Sequence, residues 1–154
     1  MPRPRRRSPR LEAYDYDAEG AYFVTVCSVG RACIFGRVLW DAMQPNAIAR
    51  IVEACWREIP SHYPAAGTDA FVVMPNHVHG ILWLARAGHA PPLPRVVSSF
   101  KAAASRQAGR PLWQRSFYDR IIRNEGELLA LRQYVRDNPL RWALDHENPA
   151  RAGS

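Results

Sequence analysis

Two periods of apolar spacing alternate along the chain. Residues 21–28, AYFVTVCS, alternate and are rich in β-branched and aromatic side chains, which predicts a strand. Gly30 allows a turn, and ACIFG, residues 32–36, is the expected return strand. Asn46 is an N-cap candidate. After it Ile48, Ile51, Val52, Cys55, Trp56 and Ile59 recur at helical spacing until Pro60, which is expected to stop that helix. AFVVMP and HVHGILWL then read as two strands joined tightly around Pro75 and Asn76. A Gly/Pro-rich loop is expected over about 88–94. Val96, Val97, Phe100, Ala103 and Ala104 mark a second helix, ended near Gly109. A strand is expected at 117–122. Asn124 with Glu127 three residues later predicts the capped start of a last helix, whose Leu128, Leu131 and Val135 face the core. Asn138-Pro139 should end it, because a residue before proline resists the α region.

The order is strand, helix, strand, strand, helix, strand and an added helix. It predicts an α+β fold, ferredoxin-like or RRM-like: an antiparallel sheet with two helices on one face and the other face open for work. The C-terminal helix is additional and carries Tyr134. The chain of 154 residues divides into a basic arm over 1–20, one domain over 21–149 and a tail over 150–154.

Composition narrows the class. No apolar run approaches a membrane span, and no apolar signal core follows MPRPRRRSPR, so neither a membrane nor secretion is expected. Cys27, Cys33 and Cys55 show no CxxC spacing, which points to a reducing, cytoplasmic setting and away from a disulfide scaffold or zinc knuckle. The formal net charge is +7, and Lys101 is the one lysine. Five arginines stand in the first ten residues, and a second excess runs over 95–141, close to Trp113, Phe117, Tyr118 and Trp142. Guanidinium groups near aromatic rings suit phosphate contacts with base stacking, so an acidic polymer is the expected partner; a solvated tail and codon bias would give the same composition.

The stretch MPNHVHGILWL holds the chemistry. On a strand His77 and His79 point to one face, with Cα atoms roughly 6–7 Å apart, so both rings can reach one cation at about 2 Å. Val78 points the other way, into the core. Ile81 and Trp83 continue the histidine face and need a cover, which the last helix can supply. His62, His89 and His146 offer no compelling third ligand. Tyr134 and Asn138 share a helix face at i and i+4. Two readings stand open for them: a boundary tyrosine with its hydroxyl in water, or an oxygen donor to the metal with a phenol presented beside it.

FVVMPNHVHGI, SSFKAAASR, WQRSFYDRIIRNEGEL and YVRDNPLRW, in this order, closely resemble the single-tyrosine HUH transposases, and especially their REP-associated tyrosine transposase branch. The likeness spans about residues 14–149. Arg120 departs from it, standing where histidine is commoner. The resemblance implies an HUH motif at His77-Val78-His79, a nucleophile at Tyr134, a third metal ligand at Asn138, and Mg²⁺ or Mn²⁺ as the ion. It further implies cleavage and rejoining of hairpin-bearing single-stranded DNA through a 5′-phosphotyrosine, with room for a homodimer. Lys101, Arg106, Arg115, Arg123 and the N-terminal arm are then candidates for backbone contacts, with Ser98 and Ser99 as hydroxyl donors. Two other classes compete: a zinc hydrolase using the HxH pair, which needs a third His, Asp or Glu, and a non-catalytic single-stranded nucleic-acid-binding module on an open, aromatic sheet.

Overall fold

The computed structural model describes residues 19–85, 91–145, 148 and 149. The expected basic arm through residue 18, loop residues 86–90, His89, His146 and the tail over 150–154 lie outside the described residues.

The strands are β1 (Glu19–Cys27), β2 (Gly36–Leu39), β3 (Ala42–Pro45), β4 (Ala66–Met74), β5 (His77–Ala85) and β6 (Tyr118–Ile122). The helices are α1 (Ala47–Arg57), the short α2 (Ile59–His62), α3 (Leu93–Ala108) and α4 (Glu125–Asp137). Four strands form an antiparallel sheet in the order β4-β5-β1-β6, the ferredoxin-like arrangement that the element order implied. Among the described residues no helix is long and apolar enough to cross a membrane.

Alternation along β5 decides what each side of the sheet becomes. Val78, Leu82 and Leu84 point toward α1 and α3 and join Val52, Trp56, Val96, Val97 and Phe100 in the main core. Ile81 and Trp83 point the other way and pack with Ala21, Ile122 and Leu128 beneath α4. That second face is therefore roofed by α4 rather than left open, because its apolar residues would otherwise meet water. The helix starts hold the expected caps. Asn46 Oδ1 accepts from the Ala49 amide at 2.9 Å, and Asn124 Oδ1 accepts from the Glu127 amide at 2.8 Å. Glu127 Oε1 reaches back to the Arg123 amide at 2.9 Å, completing a capping box one residue longer than the usual form. Gly109, at φ 75°, ends α3 in the left-handed conformation that suits glycine.

Several expectations need correction. The basic arm yields its last two residues to β1, which begins at Glu19. ACIFG is not the return strand: only its Gly36 enters one, as the first residue of β2, and the Phe35 amide donates to Pro75 O at 3.1 Å, so residues 32–35 form a loop tied to the β4–β5 turn. The chain then forms a separate two-stranded ribbon, β2–β3, whose turn residues Trp40 and Asp41 have φ of 56° and 60°. Pro60 does not stop α1, which already ends at Arg57. It sits in the first turn of α2, where a missing N–H costs nothing. Helix α4 ends before Asn138 as expected, yet Asn138 itself stays at φ −57°, ψ −45°, despite the proline after it. Its Nδ2 donates to Tyr134 O at 3.1 Å, a bond that holds this residue against the last turn.

Candidate active site

The histidine pair lies at one end of the two central strands. Cys27 pairs with His77, and Thr25 with His79. The turn between β4 and β5 is pinned from outside the sheet, since the Ser28 amide donates to Asn76 O at 2.9 Å. Asn76, itself buried, donates through Nδ2 to Arg31 O at 3.2 Å, which leaves its Oδ1 as the acceptor. That oxygen lies 2.9 Å from His77 Nδ1, so Nδ1 is the donor of this pair and Nε2 is the ring nitrogen turned toward the site. His79 Nδ1 lies 2.8 Å from Thr25 Oγ1, which leaves its Nε2 for the site as well. Burial, and secondarily the nearby His77, pushes the His79 pKa from 6.5 down to about 3. His79 is therefore a neutral imidazole at ordinary pH, the form that donates a lone pair.

Helix α4 brings the other two groups. Asn138 is 1 % exposed, and its Oδ1 is buried with no hydrogen-bond partner among the described residues. A buried carbonyl oxygen left in this way is costly unless something binds it. The Tyr134 ring sits 5.5 Å from the His79 ring and 6.0 Å from Phe23. Tyr118 lies opposite Thr25 across the sheet, but it is 65 % exposed and makes no ring contact with either histidine among the described residues. Two imidazole nitrogens and one amide oxygen form a donor set that fits a divalent cation such as Mn²⁺ or Mg²⁺, with imidazole favouring the former.

What holds α4 in place was not read from the sequence. Arg132 makes a bidentate contact with Asp69, at 3.0 and 2.8 Å, and Trp83 Nε1 donates to the same carboxylate at 2.9 Å. Burial raises the Asp69 pKa, but the bonds from Arg132, Trp83 and the Ala70 amide outweigh it and hold the carboxyl below its usual value. Asp69 lies where the β4–β5 register shifts, between Thr68 and Phe71. The signal was present: Asp69 interrupts a strand, and Arg132 lies one turn after Leu128, on the buried stripe. Asp145 is a second omission. Its Oδ2 lies 3.7 Å from His77 Nε2, at the mouth of a small cavity shared with Tyr134, Asn138 and Arg141.

The six side chains expected at DNA are scattered. Ser98, Ser99, Lys101 and Arg106 ride on α3, whose apolar stripe packs on the sheet face away from the histidines. Lys101 Nζ donates to the carbonyls of Gln114, Arg115 and Ser116 at 2.8, 3.1 and 3.3 Å, so it braces a loop. Arg115, on that loop, lies at the His77 end of the sheet, because the Gln114 amide bonds Cys27 O at 2.9 Å. Arg123 follows Ile122, which pairs with Ala21 toward the other end. Asp145 gives the zinc-hydrolase alternative a carboxylate near the histidine pair, although no group of three His, Cys, Asp or Glu that could hold a metal is found among the described residues; the binding-module alternative loses its open platform, because α4 covers that face.

No protein-family model matches the chain. An uncharacterized protein of Haemophilus influenzae is 34% identical over 164 residues, covering 91% of each chain. Among solved structures, a REP-associated tyrosine transposase bound to a REP hairpin superposes with a TM-score of 0.64 at 21% identity, over 92% of this chain and 74% of the other. A transposase-like protein of Deinococcus radiodurans R1 gives a TM-score of 0.53 at 20% identity, over 81% of this chain and 93% of the other. The chain belongs to one family with the Haemophilus protein, and the likeness to REP-associated tyrosine transposases first read from its motifs is borne out in the fold it shares with them.

Proposed function

We propose that this chain is a transposase-type strand transferase acting on single-stranded DNA, with Tyr134 as nucleophile and a divalent cation at His77, His79 and Asn138. The observation that most supports this is the meeting of groups from distant parts of the chain. The Tyr134 ring lies 5.5 Å from the His79 ring, and Asn138, one helical turn later, has a buried side-chain oxygen with no hydrogen-bond partner among the described residues; both support a site shared with the two imidazoles of β5. A structural core needs none of them. The solved relative bound to a REP hairpin supports hairpin-bearing DNA as the substrate.

In this reading Tyr134 Oη attacks the scissile phosphorus, the bond to the 3′-oxygen breaks, and the departing strand leaves with a 3′-hydroxyl. The phenolic proton is passed to solvent and the leaving oxygen is protonated in turn. The phosphate stays on the tyrosine as a diester, so a second 3′-hydroxyl can reverse the step without ATP. A bound cation would supply Lewis-acid stabilisation of charge on the phosphate oxygens. Asn76 and Thr25 orient the two imidazoles, and the Asp69–Arg132 pair sets where the helix carries the phenol. Arg115 offers a phosphate contact at the same end of the sheet. Cytoplasmic DNA is the natural substrate pool, and a homodimer is part of the same reading.

The test uses labelled single-stranded hairpins taken from the DNA flanking the gene, incubated with protein and Mn²⁺. A covalent adduct is expected with the wild type and none with Tyr134→Phe. Mass spectrometry should place the phosphate on the peptide containing Tyr134; finding it on Tyr118 would overturn the assignment. Isothermal titration with Mn²⁺ should show binding that the His77→Ala/His79→Ala double variant loses.

A further inference from the structure

Beside Tyr134, on the side away from Asp145, lies a cavity of about 470 Å³ lined by Phe23, Arg120, Glu127, Ala130, Leu131 and Tyr134. We propose that it is a nucleobase site that selects guanine at one position next to the reacting phosphate, with Arg120 as the specificity-determining residue. The inference rests on the strand-transfer function above, and it adds a base-reading element to that site.

The walls argue for a flat ligand with polar edges. Phe23, Ala130, Leu131 and Tyr134 are apolar or aromatic, while Arg120 and Glu127 bring opposite charges to the same space. A phosphate would be drawn to the guanidinium but repelled by the carboxylate, and it has no use for an aromatic wall. An aliphatic ligand would leave the guanidinium idle. A base meets all three: a π-face for stacking, acceptors for an arginine, and donors for a carboxylate. Phe23 is already aligned in a stack, 5.1 Å from the His79 ring and inclined by 24°.

Arg120 lies opposite Phe23 across the β1–β6 pair, on the histidine side of the sheet. It is exposed, and among the described residues it makes no hydrogen bond or ion pair, in contrast to Arg132 with its two bonds to Asp69. Its planar fork matches the adjacent O6 and N7 acceptors of guanine. Glu127 uses Oε1 on the Arg123 amide, which leaves Oε2 as an acceptor for the N–H groups of the same base. Adenine would present a donor where Arg120 also donates, and a pyrimidine lacks the paired acceptors. Because Tyr134 lines both this cavity and the one beside Asn138, the base held here belongs to a nucleotide at or adjacent to the attacked phosphate.

The test is selection of a randomised 12-nucleotide single-stranded DNA pool by the full chain with Mn²⁺, with sequencing of the bound fraction. Wild type, Arg120→Gln and Arg120→Lys are compared. The wild type should enrich guanine at one position by about tenfold or more. Both variants should flatten that position alone, and Arg120→Lys should keep the overall affinity and its salt dependence, because charge persists while the fork is lost. The proposal is overturned if the wild type shows no guanine preference, if the preference survives both variants, or if either variant weakens every sequence equally, which would mark Arg120 as a backbone contact. Adducts on the hairpins are scored in parallel. Base preference without adducts would sink the strand-transfer function and leave the base site standing; adducts with an unaltered preference would do the reverse.

Discussion

On the side of the sheet facing α1 and α3, three aromatic rings lock together. Trp56 stacks on Phe71 at 4.4 Å and meets Phe100 edge-on at 5.6 Å. On the other side α4 rests on a small apolar cluster and the Asp69–Arg132 ion pair, and the space next to it has apolar and aromatic walls with Arg120 and Glu127 at its charged positions. The first side holds the strands rigid by area alone. The second holds a helix by a few directional bonds, which leave the Tyr134 ring partly exposed beside His79 while Asn138 is buried at the helix end. Strand geometry and helix placement thus depend on different interactions, and they should fail separately.

The strongest way to break the contrast is through the ring cluster. Phe100→Ala should cost roughly 3–5 kcal/mol in urea unfolding, with the whole chain losing stability together. Next, Arg132→Ala leaves Asp69 with fewer bonds and should cost about 1.5–3 kcal/mol. Hydrogen exchange should rise over residues 125–137 while α1 and α3 stay protected. Equal acceleration in all three helices would show that the two sides form one cooperative unit, and the contrast would be lost.

A pH titration sharpens it further. The folded-state pKa of His79, about 3, lies below its ordinary 6.5. The folded protein therefore binds fewer protons in that interval, and the stability that neutral His79 contributes is complete above pH 6.5 and lost as pH falls toward 3. Over the first pH unit below 6.5 the loss should be roughly 1 kcal/mol, and His79→Gln should remove it. Asp69 is also depressed, below 3.8, so its contribution persists until the pH drops past that value. In chemical unfolding at stepped pH the His79 loss is expected to begin near 6.5 and the Asp69 loss to join it only below 3.8. The smallest effect belongs to Tyr134→Phe. Its hydroxyl makes no hydrogen bond among the described residues, so unfolding free energy should change by no more than about 0.5 kcal/mol even though the adduct disappears.

The frame was legible because its signals are local. Alternation over 21–28 and helical spacing from Ile48 to Ile59 each report a buried face, and the Asn46 and Asn124 caps fall where expected. The HxH pair was legible for the same reason, since a strand fixes which way both rings point. The ribbon β2–β3 was not, because its turn puts Trp40 and Asp41 at positive φ, where Gly or Asn usually advertises a hairpin. Asp69 and Arg132 meet across 63 positions of sequence, a distance over which no periodicity carries. The DNA candidates on α3 were chosen by residue type, and type says nothing about which side of a sheet a helix covers. Lys101 shows this: the fold engages the lone lysine with three carbonyls, a role that residue type does not announce.

Gly80 gives the histidine motif a mutational consequence. A Cβ there would come to 2.6 Å from Trp56 Cζ2 and 2.9 Å from Phe71 Cδ1, so the aromatic stack lies directly against the backbone of the strand that carries the histidines. In a saturation library at position 80, glycine alone should survive, because every other residue would drive a Cβ into Trp56 and Phe71. The motif is thus constrained from two directions at once, at positions 77 and 79 by the proposed metal site and at position 80 by clearance. Drift in Trp56 toward a smaller ring would release position 80 first, and the loss of that glycine from a lineage would signal a repacked core before any change in the chemistry.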